Sequence, residues 1–111
     1  MTTYIGLAMS NTMFQDGEFR RTTLTPADVQ DALDAGVVSV INPSHKDTID
    51  AIKIKFGLEL PIPTTAPSVE VRPGDALIVI SAKLPRLAEG ERHTTETVYN
   101  APIFFSRWTA L

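Results

Sequence analysis

Val37-Val38-Ser39-Val40-Ile41-Asn42-Pro43-Ser44-His45-Lys46-Asp47-Thr48-Ile49, continuing to Phe56-Gly57, is the stretch from which the fold can be read. The β-branched run Val37 to Ile41 reads as a buried strand that ends at Asn42-Pro43. Pro43 has no amide hydrogen to give a sheet ladder, so the chain must turn there. Ser44 then reads as a helix N-cap, with Asp47 three residues on as the reciprocal acid of a capping box. Ile49, Ile52 and Phe56 recur at helical spacing, and Gly57 is placed to stop the helix. A strand followed at once by a helix puts His45 in the first turn, beside unpaired backbone N–H groups and the positive end of the helix dipole. A small anion is stabilised in such a place.

Outward from this centre, Tyr4 to Ala8 reads as a first strand entering the polar turn Ser10-Asn11-Thr12. Asp16-Gly17 is a hairpin signal leading into a second strand, Glu18 to Leu24. Thr25-Pro26-Ala27-Asp28 starts a helix with proline at its first position and an acid three residues after the cap. Val29, Ala32 and Leu33 form its apolar stripe, and Gly36 ends it. Beyond Gly57, prolines 61, 63 and 67 make an extended connection. Val69 and Val71 alternate with polar residues as a short strand, Arg72-Pro73-Gly74-Asp75 is a turn, and Ala76 to Ile80 is the most apolar strand of the chain. Lys83 to Asn100 is polar and reads as a long irregular loop, before a final aromatic strand from Ile103 to Trp108. The expected architecture is α/β: a mixed sheet of about five or six strands with two helices packed on it, in one domain spanning 1–111.

Composition narrows the functional classes. The chain has 111 residues, 43% apolar and 21% charged, as ordinary globular proteins do. Without cysteine there is no disulfide or thiolate metal site, which suits a reducing compartment. No apolar run approaches the ~20 residues that span a bilayer, and the N-terminus lacks the basic region of a signal peptide. A net charge of −3 argues against general DNA or RNA binding, which depends on broad phosphate neutralisation. An anionic ligand must therefore be small and held by a few local groups.

Three separated motifs add a family likeness. Ala8-Met9-Ser10-Asn11-Thr12-Met13 follows the first strand, Ser44-His45-Lys46-Asp47-Thr48 opens the central helix, and Ile80-Ser81 is followed by Arg86-Leu87-Ala88-Glu89-Gly90. Together they resemble a family of small viral proteins that act on cyclic nucleotide immune signals, including the anti-CRISPR ring nucleases of archaeal viruses. That family shows Ala-Phe-Ser-x-Asn-Met, Gly-His-x-x-Thr and Arg-Leu-x-Glu-Gly in the same order. Here Asn42-Pro43-Ser44 replaces the apolar residue and glycine before the histidine, and Lys83-Leu84-Pro85 lengthens the approach to Arg86. The end, Phe105-Ser106-Arg107-Trp108, also differs. These departures are similar to the related phage anti-Thoeris proteins, which sequester cyclic ADP-ribose-type signals without cutting them.

What the resemblance implies is a cyclic nucleotide ligand, either sequestered or cut by a metal-independent ring nuclease with no cofactor. Ser10, Asn11, Ser44, His45, Thr48, Ser81, Arg86, Glu89 and Arg107 are its candidate ligand residues. In a nuclease, His45 would be the general acid on the departing 5′ oxygen, joined by Glu89. Arg86 would clamp a phosphate with its planar fork, and Glu89 would meet a ribose hydroxyl or the arginine. The plainer alternatives are a first-turn polar residue for His45 and a weak surface ion pair for Arg86 and Glu89. Arg107, between aromatics, needs a counter-ion, which either a phosphate or an acidic side chain can supply. Phe14, Phe104 and Phe105 read first as core, with one available to stack on a base. The likeness further implies a homodimer or a higher even-numbered oligomer, with ligand at subunit boundaries, in the cytoplasm of an infected host cell.

Overall fold

The computed structural model describes residues 1–9, 13–14, 16–65, 67–84 and 94–111. In chain order its elements are β1 (Thr3–Gly6), β2 (Phe19–Leu24), α1 (Pro26–Ala35), β3 (Val38–Ser39), α2 (Lys46–Phe56), β4 (Ala76–Ala82), α3 (Thr95–Asn100) and β5 (Ile103–Ala110). The strands form one five-stranded mixed sheet in the order β2-β5-β4-β1-β3. β1 runs parallel to both β3 and β4, whereas β5 is antiparallel to β4 and to β2. The α/β architecture expected from the sequence is present, with a third, short helix.

Side chains alternate across the sheet and give it two apolar faces. Ile5, Ile78, Ile80 and Phe105 point to one, where Val29 and Ala32 of α1 and Ile52 of α2 close over them with Ile41. Each fully buried isoleucine contributes roughly 1.5–3 kcal/mol relative to exposure. On the other face, Leu77, Val79, Tyr4 and Trp108 pack against Met13, Phe14, Phe19, Val69 and Val71. Among the described residues no helix packs on this second face; irregular chain does.

Helix α1 forms as its local signals require. Thr25 Oγ1 accepts the Asp28 N–H at 3.1 Å, and the Asp28 carboxylate accepts the Thr25 N–H at 2.9 Å, completing a capping box. Pro26 fills the first position, where no amide hydrogen is needed. Gly57 ends α2 in the left-handed region at φ 70°, its N–H donating to the Lys53 carbonyl at 2.8 Å.

Elsewhere the structure corrects the sequence expectations. The strand expected over Val37 to Ile41 shrinks to Val38–Ser39, because β3 lies at the edge of the described sheet, paired there with β1, and the chain turns at once. Ser44 is not the N-cap of α2. The Asn42 Oδ1 accepts the Ser44 N–H at 3.0 Å, and the Asn42 carbonyl accepts the His45 N–H at 3.1 Å. This tight turn through Pro43 delays the helix, so that His45 is the cap residue. Asp47 closes no capping box; its Oδ1 accepts the Thr95 hydroxyl at 3.0 Å and ties α2 to α3.

The Asp16-Gly17 hairpin does not form, since β2 crosses to the far edge and pairs with β5. Val69 and Val71 make no strand beyond a single parallel bridge from Val71 to Phe14. Within the stretch expected to be an irregular loop, Thr94 caps α3 by accepting the Thr97 N–H at 3.1 Å, and Val98 anchors the helix by full burial.

Candidate functional site

The carboxyl ends of parallel β1 and β4 and the amino end of α2 converge at one rim of the sheet. Ligands of open α/β sheets commonly bind outside the carboxyl ends of parallel strands. Here the rim carries a cleft of about 300 Å³, lined by Leu7, His45, Thr48, Ile80, Ser81 and Leu84 among others. Three of the residues singled out in the sequence, His45, Thr48 and Ser81, therefore come together although they lie on separate segments. His45 caps α2, Thr48 lies in its first turn, and Ser81 is near the end of β4.

Local backbone geometry makes this helix start different from the other two. Thr25 and Thr94 are extended, with ψ 163° and 167°, and each hydroxyl accepts an amide of its own helix. His45 has φ −83° and ψ 43° and makes no side-chain cap bond. The first-turn amides of α2 are thus left without the usual side-chain acceptor. With the Thr48 and Ser81 hydroxyls nearby, the cleft offers donors on several sides, as a phosphate needs.

A second cleft, about 370 Å³, shares Leu7 and His45 with the first. Its remaining walls include Met9, Met13, Val40, Asn42, Pro67 and Val69. None of these six is among the candidate site residues of the sequence; they come from three segments, and only Met9 and Met13 share a motif, the Ala8 to Met13 stretch. The nearest signal is Asn42-Pro43, a turn directly before the histidine.

The other predicted site residues fare differently. Ser44 is exposed on the turn, with its N–H held by Asn42, and lines neither cleft. Arg107 lines neither cleft. It pairs across strands with Thr22 and Ile78 and lines a separate groove of about 490 Å³ with Thr22, Asp28 and Asp31 beside α1. The Asp28 carboxyl is held below its ordinary value by the hydrogen bonds from the Thr25 backbone and side chain, with a smaller contribution from the Arg107 charge. Asp28 and Arg107 share this groove, and the buried Arg107 Nε has no hydrogen-bond partner among the described residues. Ser10, Asn11, Arg86 and Glu89 lie outside the described residues.

Two of the three aromatic candidates are core. Phe105 packs edge-on against Phe56 at 5.0 Å, and Phe14 against Phe19 at 4.8 Å. Phe104 remains 51% exposed opposite Ser81. Among the described residues, no helix is long and apolar enough to cross a membrane, and no group of His, Asp or Glu gathers as metal ligands would.

No protein-family model matches the sequence, and no curated protein matches it. Among solved structures, B116 of Sulfolobus turreted icosahedral virus has a similar fold. The match has a TM-score of 0.66 and covers 98% of this chain and 99% of that one at 18% identity. At this identity the likeness is one of fold.

Proposed function

We propose that this chain is a phage or viral anti-defence protein that binds and sequesters a cyclic nucleotide immune signal, a cyclic ADP-ribose isomer or a cyclic oligonucleotide, and so blocks a host antiviral system such as Thoeris. The observation that carries this reading is the start of α2, which lacks a side-chain cap and opens into a cleft shared by His45, Thr48 and Ser81. A phosphate there accepts from first-turn amides and from the two hydroxyls, and the helix dipole favours its charge. Such a site needs only local groups, as befits a chain of net charge −3. The motif resemblance supplies the ligand class, and the fold likeness to a viral protein agrees with it.

Two copies of the chain would grip a symmetric cyclic ligand equivalently across a two-fold axis, doubling the donors presented to its phosphates. Light scattering of the free and ligand-bound protein tests this. A dimer or a higher even-numbered assembly is expected, and a monomer that binds ligand fully refutes the shared site.

The position of His45 on both clefts favours a second reading, a metal-independent ring nuclease. In that reaction the substrate's 2′-hydroxyl gives its proton to solvent and attacks phosphorus to form a 2′,3′-cyclic phosphate, while the P–O5′ bond breaks and His45 supplies a proton to the departing 5′ oxygen. One experiment separates the two. The protein is incubated with each signal and then denatured, and the released ligand is separated by chromatography. Intact ligand is expected; linear adenylates formed at a His45-dependent rate would establish the nuclease instead.

A further inference from the structure

We infer that the second cleft, walled by Met9, Met13, Val40 and Val69, is the subsite for the adenine base of the signal; this rests on the function proposed above. The two clefts meet at Leu7 and His45, so a phosphate at the start of α2 leaves the rest of its nucleotide directed across the same rim. The second cleft, whose lining joins apolar side chains to Asn42, His45 and Ser68, suits a flat heterocycle with polar ring atoms. Its volume, about 370 Å³, lies at the lower end of the range for small-molecule sites, roughly 300–1,000 Å³. Two thioethers and two β-branched side chains line it, and thioether sulfur makes favourable contacts with aromatic rings. Met9 is 42% exposed, and a ring laid against it removes that apolar surface from water.

Asn42 gives the cleft a polar selector. Its Oδ1 accepts the Ser44 N–H at 3.0 Å, which fixes the side chain and leaves the amide NH₂ free to turn to a ligand. One N–H of this amide suits a ring-nitrogen acceptor of a purine. Adenine is the group that cyclic ADP-ribose isomers and cyclic tetra-adenylate share, so one base subsite serves either signal while the phosphate stays at His45.

The test uses the protein with ¹³C-labelled methionine methyl groups, titrated separately with the cyclic ADP-ribose isomers, cyclic tetra-adenylate and ribose 5-phosphate, while the His45 ring signals are followed. Met1 is the internal control, because it lies near Gly74, away from both clefts. At least one adenine-bearing ligand is expected to shift the Met9 and Met13 methyls upfield by ring current and leave Met1 unmoved. Ribose 5-phosphate is expected to move the His45 signals alone. Asn42→Asp retains the acceptor for Ser44 and removes the donors. It is expected to weaken the responding adenine ligand about tenfold more than ribose 5-phosphate, the sugar phosphate correcting for the added charge. Cyclic nucleotides that shift His45 but neither Met9 nor Met13 overturn the base subsite and leave sequestration standing. If no probe moves either His45 or the methionines, both fall.

Discussion

Replacing Gly6 with alanine tests how tightly β1 and the chain after β3 are pressed together beneath the clefts. A Cβ on Gly6 would lie 2.9 Å from Val40 Cγ2, with Ala8 O at 3.6 Å and Leu77 Cδ1 at 3.9 Å. Val40 cannot swing aside cheaply. Its N–H donates to the Ile5 carbonyl at 2.9 Å, and a β-branched side chain has little χ1 freedom. Overpacking of this sort costs about 1–3 kcal/mol, whereas losing a glycine from the unfolded chain returns about 0.5–1 kcal/mol. Gly6→Ala is therefore expected to destabilise by about 1 kcal/mol. With urea slopes of about 1–3 kcal/mol per molar, the midpoint should fall by roughly 0.3–1 M, followed by Trp108 fluorescence. Val40→Ala removes the obstructing methyl, so the double variant should lose less than the two single losses combined, by about 1 kcal/mol. A Gly6→Ala protein as stable as the parent, or strict additivity with Val40→Ala, refutes the close approach.

Thr25→Ala removes a hydroxyl that accepts the Asp28 N–H, and it should cost about 1 kcal/mol in urea unfolding; no change would mean that the capping box is not formed in solution. The Asp28 carboxyl is depressed chiefly by hydrogen bonds from Thr25, and that of Asp75 chiefly by the Thr2 N–H, with Arg72 contributing. Because both folded values lie below the ordinary value of 3.8, their stabilisation is complete above it and is lost as pH falls through the folded values. The stability gap between the parent and Asp28→Asn or Asp75→Asn should narrow in that acid range, and a gap that widens there is the contrary result. His45→Ala should weaken binding of the signal by calorimetry without altering what is recovered after denaturation; a loss of turnover of about 10²–10⁴-fold would reveal a general acid instead.

Elements set by their own residues could be read in advance. Helix α1 carries its cap, its first-turn proline and its terminal glycine within one segment, and it forms as those signals require. The uninterrupted apolar run of β4 marks a strand buried between neighbours, and it lies at the middle of the sheet. What was not legible depended on partners far away in the chain. Val37 to Ile41 has the composition of a central strand, yet β3 is the last strand at its edge of the described sheet and Val38 is 45% exposed. Asp16-Gly17 has hairpin chemistry, but β2 finds its register with β5, pairing Phe19 with Ala110. α3 is six residues long with one buried side chain, too little to show a helical stripe. His45, Thr48 and Ser81 were found through local motifs, whereas Met9, Val40 and Val69 meet only after the chain folds.

The three helix starts imply one more measurable difference. Thr25 and Thr94 sit in extended backbone that aims a hydroxyl at the third amide of the helix, and both bonds are 3.1 Å long. At ψ 43°, His45 lacks that geometry, and the turn through Asn42 and Ser44 holds it there. Hence His45→Ser should recover less than the ~1 kcal/mol usual for a cap, since a hydroxyl at that position is not aimed at the amides. The same geometry leaves the Lys46, Asp47 and Thr48 amides without a side-chain cap among the described residues, open to water or to a ligand. In the free protein they should exchange hydrogen faster than the Asp28 amide, which Thr25 holds. A bound cyclic nucleotide with its phosphate at this rim should slow Lys46, Asp47 and Thr48 together and leave the Asp28 amide unchanged. Slow exchange of Thr48 in the free protein, or a ligand that protects α1 and not α2, refutes the assignment of the anion to this helix start.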